Sequence, residues 1–251
     1  MTILTWNVNG IRARQAELGA LLEAERPDVV CLQEIKAGPG KIPELLMSVG
    51  GYWCYWHGLG GYSGVALLFS QALCAERPQF MHPEFDREQR IVAAAIGDLT
   101  VASVYVPNGG KDYPAKLAFL EALGAWAEEV RHAGRQLVIC GDLNVAREER
   151  DVHPKERKPN QIGTRPDERA LLARLLEVGL VDVGRALDPD NDFLFTWWAP
   201  WRGLRQRNVG WRIDYVLAAA PVAHRAEGAV SRRDYGTSDH APLIASFRPE
   251  P

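Results

Sequence analysis

The sequence predicts an α/β sandwich: two packed sheets with helices outside, in a single domain over residues 1–251. Three observations predict it. Short apolar, β-branched runs outnumber helical ones, and several of them pair as hairpins across glycine-containing connections. Amphipathic helical stretches separate some of these strands. No Ser/Gly or Pro-rich linker and no low-complexity tract divides the chain.

In order, Thr2 to Val8 reads as a strand, and Arg12 to Glu25 as an amphipathic helix stopped by Arg26-Pro27. Asp28 to Leu32 is a second apolar strand. Ile42 to Val49 forms a short helix, and Tyr52 to His57 and Gly64 to Ser70 are paired strands around a Gly-rich connection. Arg90 to Ile96 and Leu99 to Val106 form a hairpin with Gly97-Asp98 as its turn. Asp112 to His132 is a long helix with Leu117, Leu120, Leu123 and Val130 inward. Gln136 to Cys140 is a buried strand, Arg147 to Arg165 a mixed-charge loop and Asp167 to Glu177 a helix. Phe193 to Trp198 and Trp211 to Ala218 are strands, and a last strand closes through Phe247.

The chain has 251 residues, 47% hydrophobic and 24% charged, which suits a globular protein with a sizeable core. A net charge of -3 excludes binding of nucleic acid by bulk electrostatics, so an anionic partner needs a local patch or metal ions. The four cysteines form no CxxC pair, and Cys31 and Cys140 lie in apolar strands, as reduced thiols of a cytoplasmic protein would. A strand pattern at the N-terminus leaves no room for a signal peptide, and no apolar run approaches the roughly 20 residues of a membrane span.

Polar residues gather where the strands end. Gly141-Asp142-Leu143-Asn144 follows one strand and Asn7-Val8-Asn9 another. On extended backbone, residues two apart face the same side. Glu34, Tyr105, Asn108, Asp214, Asp239 and His240 complete the set. It is rich in oxygen ligands with one His, which suits Mg²⁺ or Mn²⁺ and not structural zinc. Walker-type, GxGxxG and GxSxG motifs are absent. Metal-assisted hydrolysis of a phosphodiester is the chemistry that remains. Asp214, between Ile213 and Tyr215, needs a buried partner, and His240 would satisfy it. Trp197, Trp198, Trp201 and Trp211 interleave with Arg202, Arg205, Arg207 and Arg212, which suits a surface that grips phosphates.

Thr5-Trp6-Asn7-Val8-Asn9-Gly10, Leu32-Gln33-Glu34-Ile35-Lys36, Tyr105-Val106-Pro107-Asn108, Gly141-Asp142-Leu143-Asn144, Gly210-Trp211-Arg212-Ile213-Asp214-Tyr215 and Ser238-Asp239-His240-Ala241-Pro242 stand in one order. In that order they resemble the exonuclease III family. This is the class II apurinic/apyrimidinic endonuclease group within the endonuclease/exonuclease/phosphatase superfamily. The resemblance runs from Met1 to about Phe247. It implies a four-layered sandwich and a Mg²⁺-dependent base excision repair nuclease. Such an enzyme cuts duplex DNA 5′ to an abasic site and leaves a 3′-hydroxyl, with 3′→5′ exonuclease and 3′-phosphodiesterase activity as companions. It would act as a monomer in the cytoplasm, at the nucleoid of a bacterium.

The resemblance also implies roles. Glu34, Asn9 and Asp239 hold the metal, with Mn²⁺ as substitute for Mg²⁺. Asn7 and Asn144 organise phosphate and water, and Asp142 positions or deprotonates that water. Tyr105 contacts the phosphate, and Asp214 pairs with His240, which holds a nonbridging oxygen. Trp197, Trp211 and Ile213 line a pocket for a baseless sugar, while Arg90, Tyr62, Asn108 and Lys111 contact the DNA backbone. Asn9 stands where some relatives carry Asp, and Pro154 interrupts a loop, Val152 to Gln161, where relatives have an Asn contact. The rival readings are a nonspecific deoxyribonuclease or a small-molecule or lipid phosphodiesterase of the same superfamily, and a catalytically silent binding module.

Overall fold

The computed structural model describes residues 1–249, and residues 250 and 251 lie outside the described part. Its first half runs β1 (Thr2–Asn7), α1 (Ile11–Glu25), β2 (Val29–Gln33), α2 (Glu44–Met47), β3 (Tyr52–His57), β4 (Val65–Ser70), β5 (Phe80–Met81), β6 (Ile91–Ile96) and β7 (Leu99–Tyr105). The second half runs α3 (Tyr113–His132), β8 (Gln136–Asp142), α4 (Pro166–Glu177), β9 (Leu180–Asp182), α5 (Val183–Leu187), β10 (Asp214–Ala219), α6 (Ala220–Ala223), β11 (Ala226–Ser231) and β12 (Leu243–Phe247).

Two six-stranded sheets result, ordered β11-β12-β1-β2-β4-β3 and β5-β6-β7-β8-β10-β9. Each holds one parallel pair, β1 with β2 and β7 with β8, among antiparallel neighbours. The same order pattern appears in both, so the two sheets share one topology.

Alternation along the central strands builds four layers. Ile3, Val29, Cys31, Val138 and Cys140 point between the sheets. Leu4, Trp6, Val30 and Leu32 point outward onto Ile11, Leu18, Leu21 and Leu22 of α1. Leu137, Ile139, Tyr215 and Leu217 meet Phe119, Leu120 and Leu123 of α3 and Leu172 and Leu175 of α4 on the opposite outside. With both faces covered, the strands read as continuous apolar runs and not as alternating ones. The molecule is the four-layered α/β sandwich. All four cysteines are free thiols.

Local chemistry sets the helix ends. The Asp112 carboxylate accepts from the Ala115 amide at 2.9 Å and starts α3, with Pro114 in its first turn. Arg26 takes a left-handed conformation, φ 45°, and stops α1 before Pro27.

Three expectations are corrected. Phe193 to Trp198 is a loop and not a strand, and β10 begins at Asp214 and not at Trp211. Trp197 and Trp211 form only isolated bridges, because this part of the chain is spent lining a cavity. In α3 the inward stripe is Lys116, Phe119, Leu120, Leu123 and Ala127, with Leu117 and Val130 only partly buried. The edge strands β5, β9 and β11 carry little hydrophobic pattern, which leaves them without a signal in the sequence.

Candidate active site

The polar residues converge because the strands that carry them share one edge. β1, β2, β7 and β8 end there, at Asn7, Gln33, Tyr105 and Asp142. Antiparallel β10 and β12 begin there, so Asp214 sits opposite Asp142 and Asp239-His240 enters β12. Asp214 and His240 are therefore at strand starts and not at strand ends.

The pleat does not bring Asn9 and Asn144 inward. After Asn7 the chain turns: the Asn9 amide donates to Asn7 Oδ1 at 3.0 Å, and the Asn144 amide donates to Asp142 Oδ1 at 2.9 Å. Asn9, Glu34 and Asn144 have φ of 43°, 51° and 52°, left-handed values that Asn tolerates and Glu rarely adopts. Such strain, of order 1–3 kcal/mol per residue, is held where the surroundings over-determine it. Gly141, at φ 143°, is required within its own sheet, since a Cβ there would collide with the Val104 carbonyl oxygen of the neighbouring strand β7.

Asn7 ties the sheets together. Its Nδ2 donates to Glu34 Oε1 at 3.0 Å and to Asp142 Oδ2 at 2.9 Å, from full burial. Asn144 Nδ2 donates to Val106 O at 2.9 Å and Asp142 Oδ2 at 3.2 Å. His240 places Nδ1 2.9 Å from Asp214 Oδ2, while Nε2 lies 3.8 Å from Asp142 Oδ2. The Asp214 contact fixes the Nδ1–H form and frees Nε2 to face the cavity. Asn9 donates to Asp239 Oδ1 at 2.8 Å, and Trp197 Nε1 donates to Asp239 Oδ2 at 2.9 Å.

The electrostatics follow from this packing. Burial, with the charges of Asp214 and Glu34, raises the Asp142 carboxyl to about 7 against the pull of His240. Burial would depress the His240 imidazole, but the charges of Asp214 and Asp142 lift it to about 10. The charge of the pair at neutral pH therefore sits on an imidazolium facing carboxylates. Burial works to raise the Glu34 carboxyl, yet hydrogen bonds from Lys36 and Asn7 carry it below its ordinary value. Burial and the charges of Glu34 and Asp142 hold the Tyr105 phenol neutral, so it acts as a donor.

The donor set fits a hard divalent cation. Ligand-capable atoms of Glu34, Asp142 and His240 lie within 4.8 Å of one another; with His240 an imidazolium, the two carboxylates are the donors of this group, and Asp239, an expected ligand, lies outside it. Lys36 Nζ sits 2.7 Å from Glu34 Oε2 and 2.6 Å from Asn9 Oδ1, so a cation is already held among these oxygens. His57, His82 and Asp86 form a second group, but its imidazoles are stacked at 3.8 Å and 23°, and stacked rings do not aim their lone pairs at one point.

A cavity of about 430 Å³ opens over this cluster. Glu34, Asp142 and His240 line its floor, and Trp197, Trp211 and Ile213 one wall. The two indoles meet edge-on at 6.1 Å. Gln161, Ile162, Gly163 and Lys158 line the cavity too, so the Val152 to Gln161 loop contributes despite Pro154, which starts a short 3-10 turn. A neighbouring cavity of about 410 Å³ shares Glu34, Tyr105 and Asn108 and adds Lys36, Tyr62, Arg90 and Lys111. Arg90 is itself buried, its guanidinium 4.7 Å from the Tyr105 ring and 2.9 Å from the Tyr62 hydroxyl.

Arg212 does not belong to a phosphate-gripping surface. It is 4% exposed and ion-paired with Asp151 and Asp182 at 2.8 and 2.6 Å, because the strand start at Asp214 turns it inward. Arg205 likewise packs on the Trp198 ring and donates to the carbonyls of Arg233 and Tyr235.

Residues outside the expected set also build the site. Thr196 Oγ1 accepts from the Ile213 and Asp214 amides, and Lys116 Nζ donates to the Asn144 carbonyl at 2.7 Å. Lys116 was detectable as the one charged residue on the apolar stripe of its helix.

The Endonuclease/Exonuclease/phosphatase family model matches residues 4–240. The chain is 33% identical to an exodeoxyribonuclease of Bacillus subtilis, over 97% of this chain and 98% of the relative. It is 35% identical to the DNA repair nuclease APEX1 of Danio rerio, over 97% and 81%. The structure of an AP endonuclease from Archaeoglobus fulgidus superposes with a TM-score of 0.88 at 32% identity, covering 98% of this chain and 99% of that one. The chain belongs to the Endonuclease/Exonuclease/phosphatase family, in the group that holds these exodeoxyribonucleases and AP endonucleases.

Proposed function

We propose that the chain is a base excision repair nuclease that hydrolyses the phosphodiester 5′ to an abasic site in duplex DNA and leaves a 3′-hydroxyl. The observation that carries this reading is the Asn7 bridge. One buried amide joins a carboxylate of the first sheet to a carboxylate of the second beneath a cavity walled by indoles. Relatives named as exodeoxyribonuclease, DNA repair nuclease and AP endonuclease support it.

Glu34, Asn9 and Asp239 would hold a Mg²⁺ ion, which when bound neutralises charge on the phosphate. Mn²⁺ would substitute. Asp142, raised to about 7 and oriented by Asn7 and Asn144, accepts the proton of the attacking water. His240, aligned by Asp214, donates from Nε2 to a nonbridging oxygen, and as the bond from phosphorus to the 3′ oxygen breaks, the neutral Tyr105 phenol donates its proton to the departing oxygen, which leaves as the 3′-hydroxyl. Arg90 supports Tyr105 from behind, while Tyr62, Asn108 and Lys111 face the incoming backbone.

Selectivity lies in the other wall. An abasic nucleotide costs less to extrude than a paired one. Trp197, Trp211 and Ile213 leave room for a sugar and meet a nucleobase with aromatic edges. The enzyme would work as a monomer in the cytoplasm. No helix among the described residues is long and apolar enough to cross a membrane.

The test is cleavage of a duplex carrying one synthetic abasic site, with Mg²⁺ or EDTA, beside an undamaged duplex. Incision at the abasic site alone, abolished by EDTA, is expected. Equal cutting of both duplexes would favour the nonspecific deoxyribonuclease, and no cutting the silent binding module.

A further inference from the structure

Behind the catalytic cluster lies a fully buried ion pair, Lys116 of α3 with Glu168 of α4, at 2.5 Å. Neither residue touches the cavity. Both sit on the apolar stripes of their helices, Lys116 with Phe119 and Leu120, Glu168 with Leu172 and Leu175. Two uncompensated charges at such positions would be costly, and an apolar pair of equal volume would serve packing as well or better. The polar contacts point to what the charges do. Lys116 Nζ donates to the Asn144 carbonyl at 2.7 Å, and Glu168 Oε1 accepts from the Gly163 amide at 2.5 Å and the Arg165 amide at 2.9 Å.

We propose that Lys116 and Glu168 are positioning residues that fix two walls of the active site against each other, setting Asn144 over Asp142 and Gly163 against Trp211. Asn144 is held at φ 52° and Gly163 at φ 93°, so both walls are turns needing an external anchor. The gap is tight: a Cβ on Gly163 would stand 2.9 Å from the Trp211 ring and 3.4 Å from the Asn144 carbonyl oxygen. The Ala146 amide also donates to the Gly163 carbonyl at 2.7 Å, so a shift in one turn moves the other. The pair thus joins the water-orienting amide to the indole wall. This inference rests on the nuclease reading for its kinetic readout and on the geometry alone for its structural one.

Lys116→Met by itself leaves a lone buried carboxylate and tests folding more than positioning. The informative variant is Lys116→Met/Glu168→Gln. It removes both charges, keeps a carbonyl acceptor for the Gly163 and Arg165 amides and deletes the tether to Asn144. The expected result is a folded protein whose kcat on the abasic duplex falls about 10- to 100-fold, as a misplacement of about 1 Å produces, with KM within about threefold. The Asn144 side-chain amide resonances, read by NMR in metal-free protein, should shift together with the Gly163 backbone resonance. A folded double variant with kcat within about twofold of the parent, or with these resonances unmoved, overturns the proposal. So does a double variant that fails to fold, since the pair would then be structural. If the parent itself does not cut the abasic duplex, the nuclease reading falls alone and the resonances decide the positioning role.

Discussion

Arg212→Met separates the interior role of this residue from a role in gripping DNA. In the protein, Arg212 Nε lies 2.8 Å from Asp151 Oδ1, and its Nη2 lies 2.6 Å from Asp182 Oδ2. Arg185 holds Asp151 from the other side at 2.8 Å. Methionine fills the volume but leaves Asp182 with the Arg185 backbone amide at 3.2 Å and, as its remaining cation, the outlying Arg147 at 3.6 Å. Breaking such a buried pair from one side costs about 3–5 kcal/mol. At about 2–4 °C per kcal/mol for a chain of this size, the Tm should fall by about 6–20 °C. The pH dependence adds a signature. Burial would lift the Asp151 carboxyl, but the charge of Arg212 and hydrogen bonds from Arg212 and Arg185 hold it below its ordinary value. Its contribution is thus present above the unfolded value, about 3.9, and lost as pH falls through the lower folded value. In the variant the pull of Arg212 is lost while that of Arg185 stays, so the folded value rises and the destabilisation is relieved on acidification. The Tm gap between the two proteins should narrow from pH 7 toward pH 4. Thermal unfolding by circular dichroism reads both effects. An unchanged Tm together with a slope of log Kd against log salt reduced by about one would refute this reasoning and restore Arg212 to the DNA interface.

Asp142→Asn should lower single-turnover incision by about 10³-fold while abasic-duplex affinity, measured by anisotropy, stays within about threefold. Asp214→Asn should cost about 100-fold in kcat, because His240 loses the group that aligns and charges it. In metal-free protein His240 contributes stability that is full below its unfolded value near 6.5 and lost as pH rises through about 10. That alkaline loss should start at lower pH in Asp214→Asn, read as Tm against pH. Trp211→Ala should lower the ratio of kcat/KM for abasic over intact duplex by about tenfold or more, by opening the wall that excludes a base. Chelation should abolish turnover, and added Mg²⁺ or Mn²⁺ should restore it.

The layers of the fold were legible because strands covered on both faces are unbroken apolar runs, as Val29 to Leu32 and Leu137 to Cys140 are. Asn7, Glu34, Asp142 and His240 were legible as polar residues that follow or precede such runs. Their meeting needed topology: β10 and β12 arrive at the shared edge by their N-terminal ends, which periodicity does not encode. The sequence does not place Arg212, because an arginine beside tryptophans looks alike on a surface and in an interior. Only its facing carboxylates, Asp151 and Asp182, distant in sequence, settle it. Lys116 and Glu168 are hidden in the sequence for the converse reason. Each looks like an ordinary charged helix residue until its stripe is counted and found to face inward.

On the proposed function, chemistry and selectivity are built from different materials. The cluster of carboxylates and amides rests on strand edges, whose spacing is set by ladders and by the Gly141 contact with Val104. The cavity walls rest on irregular chain, where Trp197 and Trp211 are joined by single bridges and Gly163 by one turn. Irregular chain tolerates exchange of Trp or Ile without disturbing the ladders beneath. The strand edge does not tolerate exchange of Asn7, whose single amide spans both sheets. Asn7→Asp would put a third carboxylate between Glu34 and Asp142 and drive one of the three to take up a proton near neutral pH. Asn7→Ala would remove only the bridge. If Asn7→Asp were less impaired than Asn7→Ala in single-turnover incision, the amide would be acting by volume and not as a donor to two acids. A donor role requires the opposite order.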